Sequence, residues 1–155
     1  MNFVFVTPDN KHKAIDLAHL VFGSEPDDPA KGISDTTHSW YWMVMDEMTQ
    51  TAQGVIGLYA EDFDESEALW LGWFAVHPEA RGKGLGTSLL RFAEDQALQR
   101  GKKFLRVFTD DEADVALPMY RRYGFVDMRK PDVARPYFHG GEIFLEKQIS
   151  DNIPT

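Results

Sequence analysis

Residues 68–76, Ala-Leu-Trp-Leu-Gly-Trp-Phe-Ala-Val, form a nearly unbroken apolar run, and a glycine-rich basic turn follows them. Such a run suits a strand buried on both faces. After Arg81-Gly82-Lys83-Gly84-Leu85-Gly86, the apolar residues Leu89, Leu90, Ala93 and Ala97 recur at helical spacing, and Gly101 marks the stop. A further strand at residues 104–109 completes a βαβ crossover, so the chain must build a mixed α/β sheet with a parallel pair.

The turn also limits what can sit against it. A helix start leaves backbone N–H groups without partners and carries partial positive charge. Phosphate oxygens satisfy both, and glycine lets them approach the backbone without meeting a Cβ. Arg81 and Lys83 add full charges. A Walker loop is absent, and the dinucleotide fingerprint fails because its last glycine position falls on Thr87. A purely structural turn is the alternative, but it leaves the interleaved cations without a purpose.

Elsewhere, residues 3–8 read as a short strand ended by proline, and Ile15, Leu17, Ala18, Leu20 and Val21 space a helix that stops at Gly23. Residues 24–38 read as a loop rich in Pro, Gly, Ser and Asp. Two strands flank a hairpin turn at residues 49–53. A short helix lies around Val115 to Tyr123, closed by Gly124, with Pro118 near its start. Residues 124–130 and 142–149 are the final strands. The expected order is β-α-β-β-β-α-β-α-β-β, in one domain spanning residues 1–155.

Charge separates partner classes. The net charge is −9, which argues against nucleic acid. Residues 79–130 hold 11 Lys and Arg against 8 Asp and Glu, whereas the rest of the chain holds 5 against 17. One part can meet an anion while the other attracts a cation, although a scatter of solvated charges gives the same count. Without cysteine there is no disulfide, thiolate metal site or Cys nucleophile. No apolar run approaches the about 20 residues that span a bilayer, and the N-terminal residues do not read as a signal peptide. We therefore expect a cytoplasmic protein with no metal, no membrane partner and no nucleic-acid partner.

Arg81-x-x-Gly84-x-Gly86 resembles the Arg/Gln-x-x-Gly-x-Gly/Ala signature of the GNAT superfamily of N-acetyltransferases, and Val76-His77-Pro78-Glu79 resembles its lead-in. Ala116-x-x-x-Tyr120-x-x-x-Gly124-Phe125 resembles the second motif of that family, 34 residues from Gly86 to Tyr120. The resemblance spans residues 70–125. It implies a central, mostly antiparallel, twisted sheet of 6–7 strands with a parallel βαβ splay and 3–4 helices. It also implies acetyl-CoA as co-substrate and a small-molecule or peptide amine as acceptor.

Roles follow from the same resemblance. Backbone N–H groups from Gly82 through Lys83, Gly84, Leu85, Gly86 and Thr87 hold the pyrophosphate, and Arg81 either orients the turn or meets a phosphate. Phe74, Ala75 and Val76 pair with the pantetheine amides. An N–H of Phe74 or Val76 polarises the acetyl carbonyl. Gly72 suits a bulge and equally an inert packing position. Tyr120 is the candidate general acid for the departing thiolate, against the alternative of a packed core tyrosine. His77 reads as structural.

The chain departs from the family in two places. Ala113 stands where many relatives carry an asparagine; Asp110, Asp111 or Asp114 is a possible substitute, and equally a turn or helix-start residue. The usual base positions hold no glutamate, which leaves Glu61, Asp62 and Glu67 as candidates, or a water chain. The acceptor pocket is expected from residues 24–38, Trp40, Tyr41, Trp42 and residues 135–141, with the alternating Trp40 and Trp42 equally a core face. Exposed strand edges make a homodimer plausible. The competing function is a non-catalytic acyl-CoA-binding regulatory or sensor module; a structural interaction domain predicts no CoA binding at all.

Overall fold

The structure, a computed structural model, describes residues 1–110 and 115–151. Its order is β1 (Phe3–Phe5), α1 (Lys11–Phe22), α2 (Pro29–Ser34), β2 (Ser39–Met45), β3 (Ala52–Tyr59), β4 (Ala68–Leu71), β5 (Ala75–Val76), α3 (Leu85–Gln99), β6 (Phe104–Thr109), α4 (Ala116–Tyr123), β7 (Val126–Asp127) and β8 (Ile143–Gln148). One eight-stranded sheet runs β1-β2-β3-β4-β6-β8-β7, with β5 paired to β3. Every pairing is antiparallel except β4 with β6, the pair joined through α3.

The expected loop at residues 24–38 contains a helix, α2. Asp28 caps it by accepting the Ala30 N–H at 2.9 Å, and Pro29 occupies its first turn. The cap was visible as Asp-Pro, but six residues are too few for a periodic apolar signal. Pro118, at the third position of α4, removes an N–H that has no intrahelical partner there anyway.

Both faces of the sheet are covered. Leu85, Leu89, Leu90, Ala93 and Ala97 of α3 pack on Trp42, Ile56, Leu58, Leu69, Leu71, Leu105 and Val107. Ala14, Leu17 and Ala18 of α1 and Ile33 of α2 pack on Tyr41, Met43, Val55 and Ala75 on the other face. Each fully buried large side chain contributes roughly 1.5–3 kcal/mol.

The apolar run is not one strand. Leu58 pairs with Leu71 and Tyr59 with Trp70, whereas Val55 pairs with Ala75 and Gly54 with Val76. Gly57 and Ile56 on β3 therefore lie opposite Gly72, Trp73 and Phe74. This is a β-bulge, and it divides the run into β4 and β5. Parallel pairing of β4 with β6 ends at Trp70 and Arg106, while β5 pairs only with β3. A gap thus opens between β5 and β6.

Candidate functional site

The turn before α3 faces that gap. Gly82 and Gly84 have φ of +79° and +81°, backbone that disfavours a side chain, and a Cβ built on either meets nothing within 4 Å. No side chain caps α3, no acidic residue lies in its first turn, and its first intrahelical bond runs from the Ser88 N–H to the Gly84 carbonyl at 3.1 Å. Among the described residues, the amides of Leu85, Gly86 and Thr87 have no acceptor, and they stand at the positive end of a 15-residue helix. At Gly86 the requirement is packing, because a Cβ there lies 3.0 Å from Met119 Sδ.

These residues line a cavity of about 840 Å³. Phe74, Ala75, Val76, Arg81, Gly82, Gly84, Leu85, Gly86 and Thr87 all border it; Lys83 does not. The Arg81 Nε–H donates to the Val76 carbonyl at 3.2 Å, which ties the turn to the strand end. His77 accepts the Glu79 N–H at Nδ1 and so caps the 3₁₀ turn Pro78–Ala80. Two further cations, Arg91 and Arg122, border the same cavity. Arg91 stands four residues after Thr87, so helical spacing alone puts it on the turn's side of α3. The free amides, the open glycine surface and three guanidinium groups suit a polyphosphate.

Backbone direction along β5 is set by pairing. The His77 N–H donates to the Gln53 carbonyl at 2.8 Å, and alternation turns the Ala75 amide the same way. The amides of Phe74 and Val76 then point away from β3 into the gap.

Tyr120 is only 5% exposed and packs against Phe74 and Phe125, with ring centroids 6.2 and 5.6 Å away. Burial pushes its phenol well above the usual tyrosine value. Its hydroxyl has no hydrogen-bond partner among the described residues, while its helix neighbours Ala116, Met119 and Tyr123 border the cavity. Ala113, Asp111 and Asp114 fall outside the described residues.

The carboxylate candidates sit at the other end of the sheet. Glu61 and Asp62 follow β3 beyond the Tyr59–Trp70 pair, and Glu67 precedes β4. From Gly54, opposite Val76, to Tyr59 is five residues of strand, or about 17 Å. The buried Glu61 carboxylate accepts the Tyr137 hydroxyl at 2.8 Å and the Arg135 Nε–H at 3.4 Å. Arg135 also holds Asp62, which is 86% exposed. Glu67 lies 3.3 Å from Arg106, which is paired with Asp64 at 2.7 Å and Glu146 at 3.0 Å. Buried Asp64 further accepts the Trp70 indole N–H at 3.0 Å, and desolvation raises its carboxyl above the ordinary value despite Arg106. Replacing Arg106 by leucine strands that buried charge, so a loss of about 3 kcal/mol in urea denaturation is expected.

Of the aromatic residues expected in an acceptor pocket, Trp40 and Trp42 face α3 instead. Trp42 lies edge-on to Phe92 at 5.3 Å, and the Arg100 guanidinium sits over Trp40 at 4.8 Å. Alternation puts Tyr41 on the opposite face. Tyr137 and Phe138 of the expected segment do gather there, on Phe108 at 5.9 and 5.1 Å. His139 meets Asp27 at 2.8 Å and joins residues 128–142 to the α1–α2 connection.

No described helix is long and apolar enough to cross a membrane, and no described group of three or more His, Asp or Glu side chains is placed to hold a metal.

Solved structures share this fold. A GNAT-family acetyltransferase from Staphylococcus aureus Mu50 superposes with a TM-score of 0.77 at 17% identity, over 96% of this chain and 99% of that one. An aminoglycoside 6′-N-acetyltransferase complexed with coenzyme A gives 0.76 at 17% identity, over 99% and 100%. In sequence, the S-(2-succino)cysteine N-acetyltransferase of Bacillus subtilis (strain 168) is 30% identical over 83 residues, which are 52% of this chain and 48% of that protein. The match thus spans about half the length of that relative. Residues 11–125 match the acetyltransferase (GNAT) family, most of the chain including the turn, the gap and Tyr120, and the chain belongs to that family.

Proposed function

We propose that this chain transfers an acetyl group from acetyl-CoA to a primary amine that carries positive charge. The observation that carries this is the junction of an uncapped α3 start with β5 and α4 around one cavity. Free amides at Leu85, Gly86 and Thr87 would hold the pyrophosphate, with Arg81, Arg91 and Arg122 beside it. The amides of Phe74 and Val76 would meet the pantetheine arm and the acetyl oxygen.

Acetyl-CoA supplies an activated thioester. The amine nitrogen bonds to the acetyl carbon, the carbon–sulfur bond breaks, and the thiolate takes a proton. Tyr120 is the residue we assign to give it. The ammonium proton would leave through a water chain, with Glu61, Asp62 and Glu67 at the far end of β3 as the candidate carboxylates to receive it. Glu61, buried between Tyr137 and Arg135, is the best enclosed of the three.

Charge supports a cationic acceptor. Arg106 faces three carboxylates and Arg135 faces two, so both cations are more than neutralised. The substrate named for the Bacillus subtilis relative is an acidic amino acid, which makes that class the competing acceptor. A panel of polyamines, aminoglycosides, peptides and acidic amino acids, read by CoA release, separates the two. We expect turnover with the cationic amines, with kcat/KM falling as salt rises from 0.05 to about 0.5 M. Selective turnover of acidic amines, flat in salt, overturns the charge assignment. Tight acetyl-CoA binding with no turnover on any amine favours the non-catalytic binding module.

A further inference from the structure

Tyr41 reaches the bulge from two strands away. Its ring lies in a slot between two glycines: a Cβ on Gly57 would sit 2.2 Å from the ring, and one on Gly72 would sit 2.3 Å from the hydroxyl oxygen. No other residue type leaves the slot open at either position. The tyrosine is 4% exposed, and its hydroxyl oxygen accepts the Trp73 N–H at 3.1 Å. Burial pushes its phenol well above the ordinary value, so it stays protonated at any working pH.

That hydrogen bond replaces one that the bulge removes. On one side of the bulge the Gly72 N–H still meets the Gly57 carbonyl at 2.7 Å, and on the other Ala75 pairs with Val55. The Trp73 amide falls between them and has no strand carbonyl to meet. Left unpaired, a half-buried N–H is costly, and the peptide would rotate to find a partner in the cavity. The next amide is that of Phe74, which points into the gap.

We propose that Tyr41 is a positioning residue for the acetyl carbonyl: by holding the Trp73 N–H it fixes the bulge, so that the Phe74 N–H is the one presented to the thioester oxygen. This rests on the acetyl-CoA reading above. The carbonyl bond lengthens as charge develops on its oxygen, so a misaimed donor costs rate more than binding.

The test is infrared difference spectroscopy of acetyl-CoA carrying ¹³C at the carbonyl, bound to wild type and to Tyr41→Phe. The phenylalanine ring still fills the slot, and a melting curve confirms folding. In wild type, the bound carbonyl band should lie below its position in free acetyl-CoA. In the variant it should move back toward the free position, with kcat about tenfold lower and the dissociation constant for acetyl-CoA within about twofold. Leu145→Val, a core change on β8 remote from the bulge, controls for general destabilisation and should leave the band in place. An unmoved band and unchanged kcat in Tyr41→Phe overturn the proposal, as does an equal shift in Leu145→Val. Failure of the wild type to bind acetyl-CoA overturns the acetyl-CoA reading itself, a result distinct from the other two.

Discussion

Replacing Gly84 by aspartate is expected to abolish acetyl-CoA binding in titration calorimetry while the protein remains folded. Gly84 caps α3 in the left-handed region, at φ +81° and ψ 6°. Aspartate tolerates that region better than most residues, at a cost of about 1–2 kcal/mol. A Cβ there meets nothing within 4 Å, so nothing in the fold is pushed aside. The new carboxylate would stand where free amides await a pyrophosphate. Two like charges about 4 Å apart at a protein surface repel by about 4 kcal/mol, which is roughly three orders of magnitude in affinity. Gly84→Ala separates the contributions, since it keeps the strain and omits the charge; its affinity should fall about tenfold at most. Wild-type affinity in Gly84→Asp would remove the phosphate cradle from the functional reading.

Tyr120→Phe is expected to lower kcat by about 10²-fold if its hydroxyl protonates the thiolate. The hydroxyl has no described partner to lose and the ring contacts with Phe74 and Phe125 persist, so stability should change little. KM for acetyl-CoA should move little as well, because the proton is needed only as the carbon–sulfur bond breaks. The pH profile follows from the direction of the phenol's displacement. An acid must be protonated to act, and burial raises Tyr120 above the usual value near ~10. The wild-type rate should therefore show no decline on its account up to about pH 10. Unchanged kcat in the variant would make Tyr120 a packing residue and strengthen the binding-module alternative.

Legibility differed from one part of the site to another. The turn was readable because its parts are close in sequence: glycines that accept positive φ, a helix start without a cap, and Arg81 all fall within a few residues. Arg91 was not singled out in the sequence, although helical spacing from Thr87 carries it to the same side; its place at the cavity came from the structure. Trp40 and Trp42 were ambiguous because alternation places them on one face without saying which layer covers it. Only α3 packed on β2 assigns them to the core.

The carboxylates illustrate a harder limit. Glu61, Asp62 and Glu67 lie at strand ends, where a solvated acid and a working acid look alike in sequence. Their state depends on Arg135 and Arg106, which are 39 to 74 residues distant along the chain. Ion pairs of that kind have no local signature.

By itself, then, the sequence of this protein determined the βαβ unit, the glycine-rich turn at the start of α3 and the spacing to Tyr120, because each rests on short-range backbone preference or on apolar periodicity. The tertiary structure alone decided where the apolar run breaks, since a bulge is a mismatch between two strands and β3 supplies half of it. It alone brought Tyr41 of β2, Gly57 of β3 and Gly72 of the bulge after β4 into one slot, through a register that no single segment encodes. Local rules act over a few residues, whereas the register of a sheet is set by side-chain packing on both faces at once.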